Sequence, residues 1–553
     1  MADDRQAAAP LQVTPVSGRQ AGSKALIHIA FMVVGMGFAR VFGMVSTFLV
    51  AHLLGPSLLG IWSTIRLIFV YGTINHLGVL EAYRKEVPRL EGAGNHTEAN
   101  RIEGISLGFA WLSSIVLVFA GGIFLLLVRF YSPSSSVSLN LIPSIAMLFA
   151  VMGATVGTLL FDRFTVRHLF EQASILRGLR GFAYMLFLPS GAWLGDIIGV
   201  AIGFAFAEWS ITLAAWFLAK GKCPPLAPVF DWNKTRELIR IGFPITLVWW
   251  AYLMETTFDR VVSITLLGSE QTGLYFMGIT LASVLQMVPE SLSRVFNPRL
   301  NEKMGECSDP SEVARIVWAP ASFLSWILPV CFGCVIFLIP PLYETGFPKY
   351  LPAISSSQIL ILGAILAAFI PLGTDFLVSI HRQRQLAFLV PITLAVNIGF
   401  NILLVRLGFG IEGIALVSFC TNGAVAIFLW WQVARLIHTE GTTAFMLPLG
   451  WGILVALLLV CCLLKQPFYS LSNSWVDGAF QIIIFIPVYF LGIFFSPRCS
   501  WMDEEGSEES AQADLDGSGC RQGLIFPHLP ARRVGNTTSA SLTEVTKSYS
   551  SLT

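Results

Sequence analysis

Between residues 23 and 495 the chain runs again and again for about twenty residues with hardly a charge. Wound as a helix at about 1.5 Å per residue, such a stretch matches the roughly 30 Å hydrocarbon layer of a bilayer. Fourteen of them can be drawn, at about 23–50, 58–80, 105–128, 139–161, 173–190, 197–219, 241–267, 273–296, 314–339, 354–380, 386–405, 410–434, 444–464 and 476–495. A helix satisfies its backbone hydrogen bonds within one segment, so the expected class is an all-α integral membrane protein with about 14 transmembrane helices. Composition removes the soluble alternative: 55% of the residues are hydrophobic and 12% charged, where a soluble domain carries about 25% charged. The formal net charge of +1 gives no reason to expect nucleic acid as a partner.

Where the charges lie sets the orientation. With the N-terminus in the cytoplasm, twenty Lys and Arg residues fall in inner loops and four, Arg129, Lys349, Arg406 and Lys465, in outer ones. That imbalance is the positive-inside pattern, and it places both termini in the cytoplasm. Residues 1–22 lack the shape of a signal peptide and read as a cytoplasmic N-terminal segment. Residues 497–553 are polar and read as a disordered cytoplasmic tail.

Three local patterns recur at nearly one offset. Leu53-Leu54-Gly55 before Gly60-Ile61-Trp62 is echoed by Leu266-Leu267-Gly268 before Gly273-Leu274-Tyr275. Leu194-Gly195 is echoed at the same offset by Leu407-Gly408, and Pro88-Arg89-Leu90 at a slightly shorter one by Pro298-Arg299-Leu300. The order and spacing point to a duplication. Each unit holds six spans, an even number, so the halves share one orientation. The expected organisation is two parallel six-helix bundles, 23–220 and 234–437, around a central cavity, followed by two extra transmembrane helices in 444–496.

The loops exclude other classes. None has room for a soluble catalytic domain, and the outer loops are too short for the acidic site of a membrane glycosyltransferase or polymerase. No enzyme activity is expected. Gly18 to Lys24 has the wrong spacing for a phosphate-binding P-loop. Cys331 and Cys334 form a CxxC inside an apolar helix without a second ligand pair, so no metal and no cofactor is expected.

An ionisable group within a span costs several kcal/mol unless it pairs or faces a cavity, which makes each one a functional candidate. Arg40 in the first span and Arg66 in the second suit a phosphate-bearing substrate, because a guanidinium stays charged and binds oxygens through paired donors. Snorkelling or a structural ion pair is the plainer alternative. Glu255, Asp259 and Arg260 fall in the seventh span. Glu255 and Asp259, four apart, would share a helix face and one could carry a proton, unless Arg260 neutralises them. Glu208 and Asp375 are lone acids in the sixth and tenth spans. Glu290 and Arg294 read as a structural pair. Asn397 and Asn401 form a polar face in the eleventh span, for helix packing or cavity lining.

Several of these stretches resemble a family. Ala51-His52-Leu53-Leu54-Gly55-Pro56 followed by Gly60 looks like the first-loop signature of the polysaccharide (Wzx-type O-antigen) flippases. Glu86-Val87-Pro88-Arg89-Leu90-Glu91-Gly92 resembles the same family, as does Gly242-Phe243-Pro244 leading to Asp259-Arg260, Gly268, Gly273 and Tyr275. The likeness covers about 20–440 and reaches the lipid II flippases and the multidrug and toxin extruders of the same superfamily. His52 departs from it, standing where an arginine is usual. The resemblance implies a cavity opening alternately to the two sides of a bacterial inner membrane, with an isoprenoid-pyrophosphate-linked oligosaccharide as cargo for lipopolysaccharide or exopolysaccharide assembly. Arg40 and Arg66 would hold the pyrophosphate. Glu255, Asp259, Arg260, Glu208, Asp375, Asn397 and Asn401 would line the cavity or couple transport to H+ or Na+. Membrane lipids and a polysaccharide polymerase or chain-length machinery are the other expected partners. A drug-extruding antiporter on the same fold is the main alternative; a cytoplasmic-tail scaffold is a second.

Overall fold

The computed structural model of the chain describes residues 18–131, 141–167, 169–293, 300, 310–380, 382–436 and 474–494. The expected span at 444–464, the start of the N-terminal segment and the tail lie outside them. In chain order the helices are α1 Gly18–Gly72, α2 Val79–Gly92, α3 His96–Tyr131, α4 Leu141–Val166, α5 Phe170–Ala219, α6 Trp232–Glu255, α7 Phe258–Leu266 and α8 Ser269–Leu285. There follow α9 Met287–Ser293, α10 Pro310–Gly346, a 3-10 turn Pro348–Ala353, α11 Ile354–Ala367, α12 Ile370–Ser379, α13 Gln383–Arg406, α14 Gly410–Leu436 and α15 Ser474–Phe494. The fold is all-helical among the described residues, as the apolar runs require.

Among the described residues, nine helical stretches are long and apolar enough to cross a membrane, and α8 with α9, bent by 42°, makes a tenth. Two of the nine are too long for one crossing. α1 has 55 residues, about 80 Å of helix, and kinks at Gly55, whose φ of 70° suits glycine and which is followed by Pro56. α5 has 50 residues and breaks at Gly195 and Asp196. Each of these two helices is divided into two legs by its kink.

Two expected spans prove discontinuous. The seventh, 241–267, ends as α6 at Glu255 and restarts as α7 at Phe258. Thr256 and Thr257 between them both turn their hydroxyls back onto the Leu253 carbonyl, at 3.1 and 2.6 Å, which competes with the helical ladder. The tenth, 354–380, breaks between α11 and α12, where Pro371 withholds an N–H.

Packing brings the repeat into view. A Cβ added to Gly60 would lie 1.8 Å from the carbonyl oxygen of Ser269, and one added to Gly273 would lie 1.8 Å from that of Pro56. Gly60 and Gly273 stand at the offset that separates Gly55 from Gly268, and so do Pro56 and Ser269. The contact is therefore reciprocal, as a twofold axis between two copies of one unit demands. At the same end the Tyr350 hydroxyl donates to the Ala51 carbonyl at 2.9 Å, and Phe347 packs edge-on to His52. At the far end of that helix Gly78 and Gly242 meet backbone to backbone, a Cβ on Gly242 falling 1.9 Å from the Gly78 oxygen.

The connection to α6 is held against α3. Val229 donates its N–H to the Gly104 carbonyl at 3.0 Å, Arg163 grips the Pro224 carbonyl at 2.7 Å, and Arg101 reaches Asp231 at 2.7 Å. Asp231 also caps α6, accepting the Asn233 and Lys234 N–H groups. Those N–H bonds, Lys234's foremost, with Arg101 hold its carboxyl below the usual range. Beside this strap Glu103 lies buried between Arg163 and Arg167, a closed ion cluster whose role is to join α3 to α4. Of the two expected extra helices, α15 packs on α10 through Phe485 and Phe337, 5.5 Å between centroids.

Candidate functional site

A cluster of charged and phenolic side chains spans both halves. Arg66, on the leg of α1 after Pro56, is half-buried and has no hydrogen bond or ion pair among the described residues. The charges of Arg260 and of Glu208, with Tyr184 of α5, act on it. Glu208, 2% exposed, is fully engaged: the Arg180 Nη2 donates to both its oxygens at 2.8 Å, and the Tyr184 hydroxyl bonds it as well. Arg180 also donates from Nε to the Tyr184 hydroxyl at 3.2 Å. Tyr184 stacks on Phe204 at 5.3 Å, which fixes the phenol.

From the second half come Asp259 and Arg260 at the start of α7. Asp259 accepts the Tyr275 hydroxyl at 2.6 Å and its neighbour's backbone N–H at 2.8 Å. The Arg260 guanidinium lies 5.4 Å over the ring of Phe276, and its buried Nε has no partner among the described residues. Tyr71 closes the group, its hydroxyl 2.7 Å from that of Thr257. Three guanidiniums thus share the site with two carboxylates. One carboxylate is taken by Arg180, and the other takes its bonds from a tyrosine and the backbone. Arg66 and the Arg260 Nε are left with donors to offer, in the form that binds phosphoryl oxygens through paired N–H groups.

Of the residues singled out from the sequence, Arg66, Glu208, Asp259 and Arg260 come together here. Arg40 does not: its guanidinium is in an ion pair with Glu290 of α9. Glu290 therefore serves Arg40, while Arg294, its expected partner, lies outside the described residues. Glu255 is parted from Asp259 by the break at Thr256 and Thr257, so the two do not share one helix face; Glu255 lies beside Thr393 instead. Asp375 accepts the hydroxyl of Ser293.

Asn397 and Asn401 form a separate polar group. Asn401 donates to Asn397 at 2.7 Å, Asn397 donates to Thr421 at 3.3 Å, and the Asn401 Oδ1 is buried without a donor among the described residues. The offset from Gly60 to Gly273 also carries Tyr184 onto Asn397 and Glu208 onto Thr421, so the two halves share a contact scheme and differ in its chemistry. Arg180 and Tyr184 were not singled out from the sequence. Arg180 counts there towards the positive inner loops, yet it sits inside α5; the signal that finds it is the lone acid Glu208, which needs a cation on the neighbouring leg.

No protein-family model matches the sequence, and neither does any curated protein sequence. Solved structures do match the fold. One described as the lipid II flippase MurJ in an inward closed conformation superposes with a TM-score of 0.63 at 14% identity, covering 83% of this chain and 99% of that one. An inward-facing multidrug resistance MATE family transporter of the MOP superfamily gives 0.59 at 16% identity, covering 73% and 96%. A MOP superfamily transporter from Pyrococcus furiosus, described as having a binding pocket of reversed polarity, gives 0.51 at 16% identity, covering 74% and 96%. The chain has the fold of the MOP superfamily transporters. It is a multi-pass membrane protein whose structural neighbours are transporters and a flippase.

Proposed function

We propose that the protein is a flippase for an isoprenoid-pyrophosphate-linked oligosaccharide, with Arg66 and Arg260 as the pyrophosphate anchor. The observation that carries this reading is that Arg66 and the buried Nε of Arg260, one from each half, have donors unused among the described residues. Three guanidiniums, those of Arg66, Arg180 and Arg260, share the cluster with two carboxylates, Glu208 and Asp259, and a bound anion would offset the surplus cation. Arg40, the other arginine expected to anchor the substrate, is committed to Glu290 and serves to join the halves.

In this reading the bundles 23–220 and 234–437 rock about the Gly60–Gly273 contact in a bacterial inner membrane, with both termini cytoplasmic. The sugar crosses in a wet cavity while the isoprenoid stays in lipid, which avoids about 0.8 kcal/mol for each methylene exposed to water. An ion gradient or the membrane potential drives the cycle; one charge moved through 100 mV yields about 2.3 kcal/mol. Glu255, Asp259, Asp375, Asn397 and Asn401 are the candidates for coupling to H+ or Na+, and the exported oligosaccharide would pass to a polymerase or chain-length machinery.

Proteoliposomes loaded with a fluorescent polyprenyl-diphosphate oligosaccharide test the anchor. Arg66→Ala and Arg260→Ala should each cut the flipping rate at least tenfold, and Arg66→Lys should keep part of it. Wild-type rates in both alanine variants would remove the anchor. A drug-extruding antiporter predicts transport of cationic dyes instead, which arginines with unused donors disfavour.

A further inference from the structure

Helix α6 carries a narrow exposed stripe that is cationic at one end and apolar along the rest. Arg236, Arg240, Phe243, Leu247 and Trp250 follow one another at steps of three or four residues, which puts their side chains on one face. All five are exposed. The face that packs inward is a different one, with Leu238, Gly242 and Thr246 buried and Gly242 backed onto Gly78. α6 is long and apolar enough to cross a membrane, so the exposed apolar side chains along it suit lipid rather than water.

The two arginines serve nothing inside the protein. Neither makes a hydrogen bond or an ion pair among the described residues. The nearest carboxylates in sequence are engaged elsewhere: Glu237 bonds Lys234 at 3.0 Å, and Asp231 pairs with Arg101 at 2.7 Å. The shared architecture does not ask for cations here either. At the offset that relates Gly60 to Gly273, the first half has Ser23 and Ile27 where α6 has Arg236 and Arg240. Positive-inside bias accounts for cations near this end of a span, but not for two of them one turn apart and in line with the apolar stripe.

The dimensions of the stripe are those of a lipid. Arg240 and Trp250 stand about 15 Å apart along the helix, half of the roughly 30 Å hydrocarbon layer. Two guanidiniums are thus followed by one leaflet's depth of apolar surface. A guanidinium offers paired donors to a phosphate, and the apolar part gives an acyl chain a surface to lie on. We propose that this stripe holds an anionic phospholipid, its phosphodiester on Arg236 and Arg240 and one acyl chain along Phe243, Leu247 and Trp250. The stripe shares no residue with the central cluster, so the proposal does not depend on what that cluster transports.

Native mass spectrometry of the purified full chain in detergent tests it, with phosphatidylglycerol and phosphatidylcholine of matched chains as separate probes. The expected result is one phosphatidylglycerol retained per chain, at least tenfold weaker retention when Arg236→Gln and Arg240→Gln are combined, and an intermediate value for the two lysine replacements. Phosphatidylcholine, which brings its own cation, should be retained at least tenfold more weakly by the wild type. Arg406→Gln removes an exposed cation of α13 outside the stripe and should leave retention unchanged. Should the double variant fail to fold, Arg240→Gln alone decides by the same criterion, with a loss of at least threefold expected. Wild-type retention in the glutamine variants, an equal loss in Arg406→Gln, or phosphatidylcholine held as firmly as phosphatidylglycerol overturns the proposal. A protein dimer that depends on the two arginines and holds no lipid would assign the face to a second copy of the chain and overturn it as well. Because the readout is lipid retention and not transport, failure here is separable from failure of the central anchor.

Discussion

At the scale of single residues, charge in this chain is legible in kind but not in partner. An arginine deep in an apolar run announces that something must meet it. For Arg40 that something is Glu290, far away in the other half; Arg66 makes no hydrogen bond or ion pair among the described residues. Nothing in the local sequence of either arginine tells the two cases apart. His76 is a clearer case of environment overruling type. It sits past the end of α1, where its Nδ1 accepts the Gly78 N–H at 3.2 Å. Burial pushes its imidazole down to about 4, and the charge of Arg84 adds to the effect. An unfolded histidine titrates near 6.5. Above that value both states are neutral and His76 makes no pH-dependent contribution. As the pH falls from about 6.5 towards 4 the unfolded chain takes up a proton that the folded one refuses, so stability drops, by up to about 3 kcal/mol. Thermal unfolding in detergent at pH 7 and pH 5 should show a smaller loss for His76→Gln than for the wild type. Equal losses would mean that His76 does not titrate this way.

At the scale of elements, the number and class of the helices follow from apolar length, and their breaks follow from particular residues. Gly55-Pro56 is visible as a turn in the sequence and is one. Thr256-Thr257 is not, because two threonines in a long apolar run read as helix until their hydroxyls find the Leu253 carbonyl. That break is what parts Glu255 from Asp259 and aims Asp259 at Tyr275. Glycine marks where elements touch. At Gly60 and Gly273 even a methyl group would strike a backbone oxygen, and overpacking of this kind typically costs about 1–3 kcal/mol. Gly60→Ala and Gly273→Ala are each expected to lower the melting temperature and to hold this end of the halves apart. An unchanged melting curve for both would show that the close approach is not part of the resting state.

At the scale of the whole molecule, function in the proposed reading depends on contacts between halves that can part. Arg40 with Glu290 is such a contact. It joins α1 to α9, and with side chains 41% and 35% exposed it is worth no more than about 1 kcal/mol. That is strong enough to bias a two-state equilibrium and weak enough to open in each cycle. Reversing one charge in Arg40→Glu should slow flipping in proteoliposomes several-fold, and the double swap Arg40→Glu with Glu290→Arg should restore most of it. A swap no better than the single variant would assign Arg40 a role other than pairing.

Apolar length, Lys/Arg imbalance and the echo of one half in the other are local or additive properties, and apolar length is enough to determine a many-helix membrane protein. Those signals survive in sequence because the bilayer acts on each segment independently of the others. Which charges meet was decided only by the tertiary structure: Arg180 with Glu208 and Arg40 with Glu290. These pairings depend on how kinked helices from distant parts of the chain lie against one another, and a one-dimensional pattern holds no record of that geometry.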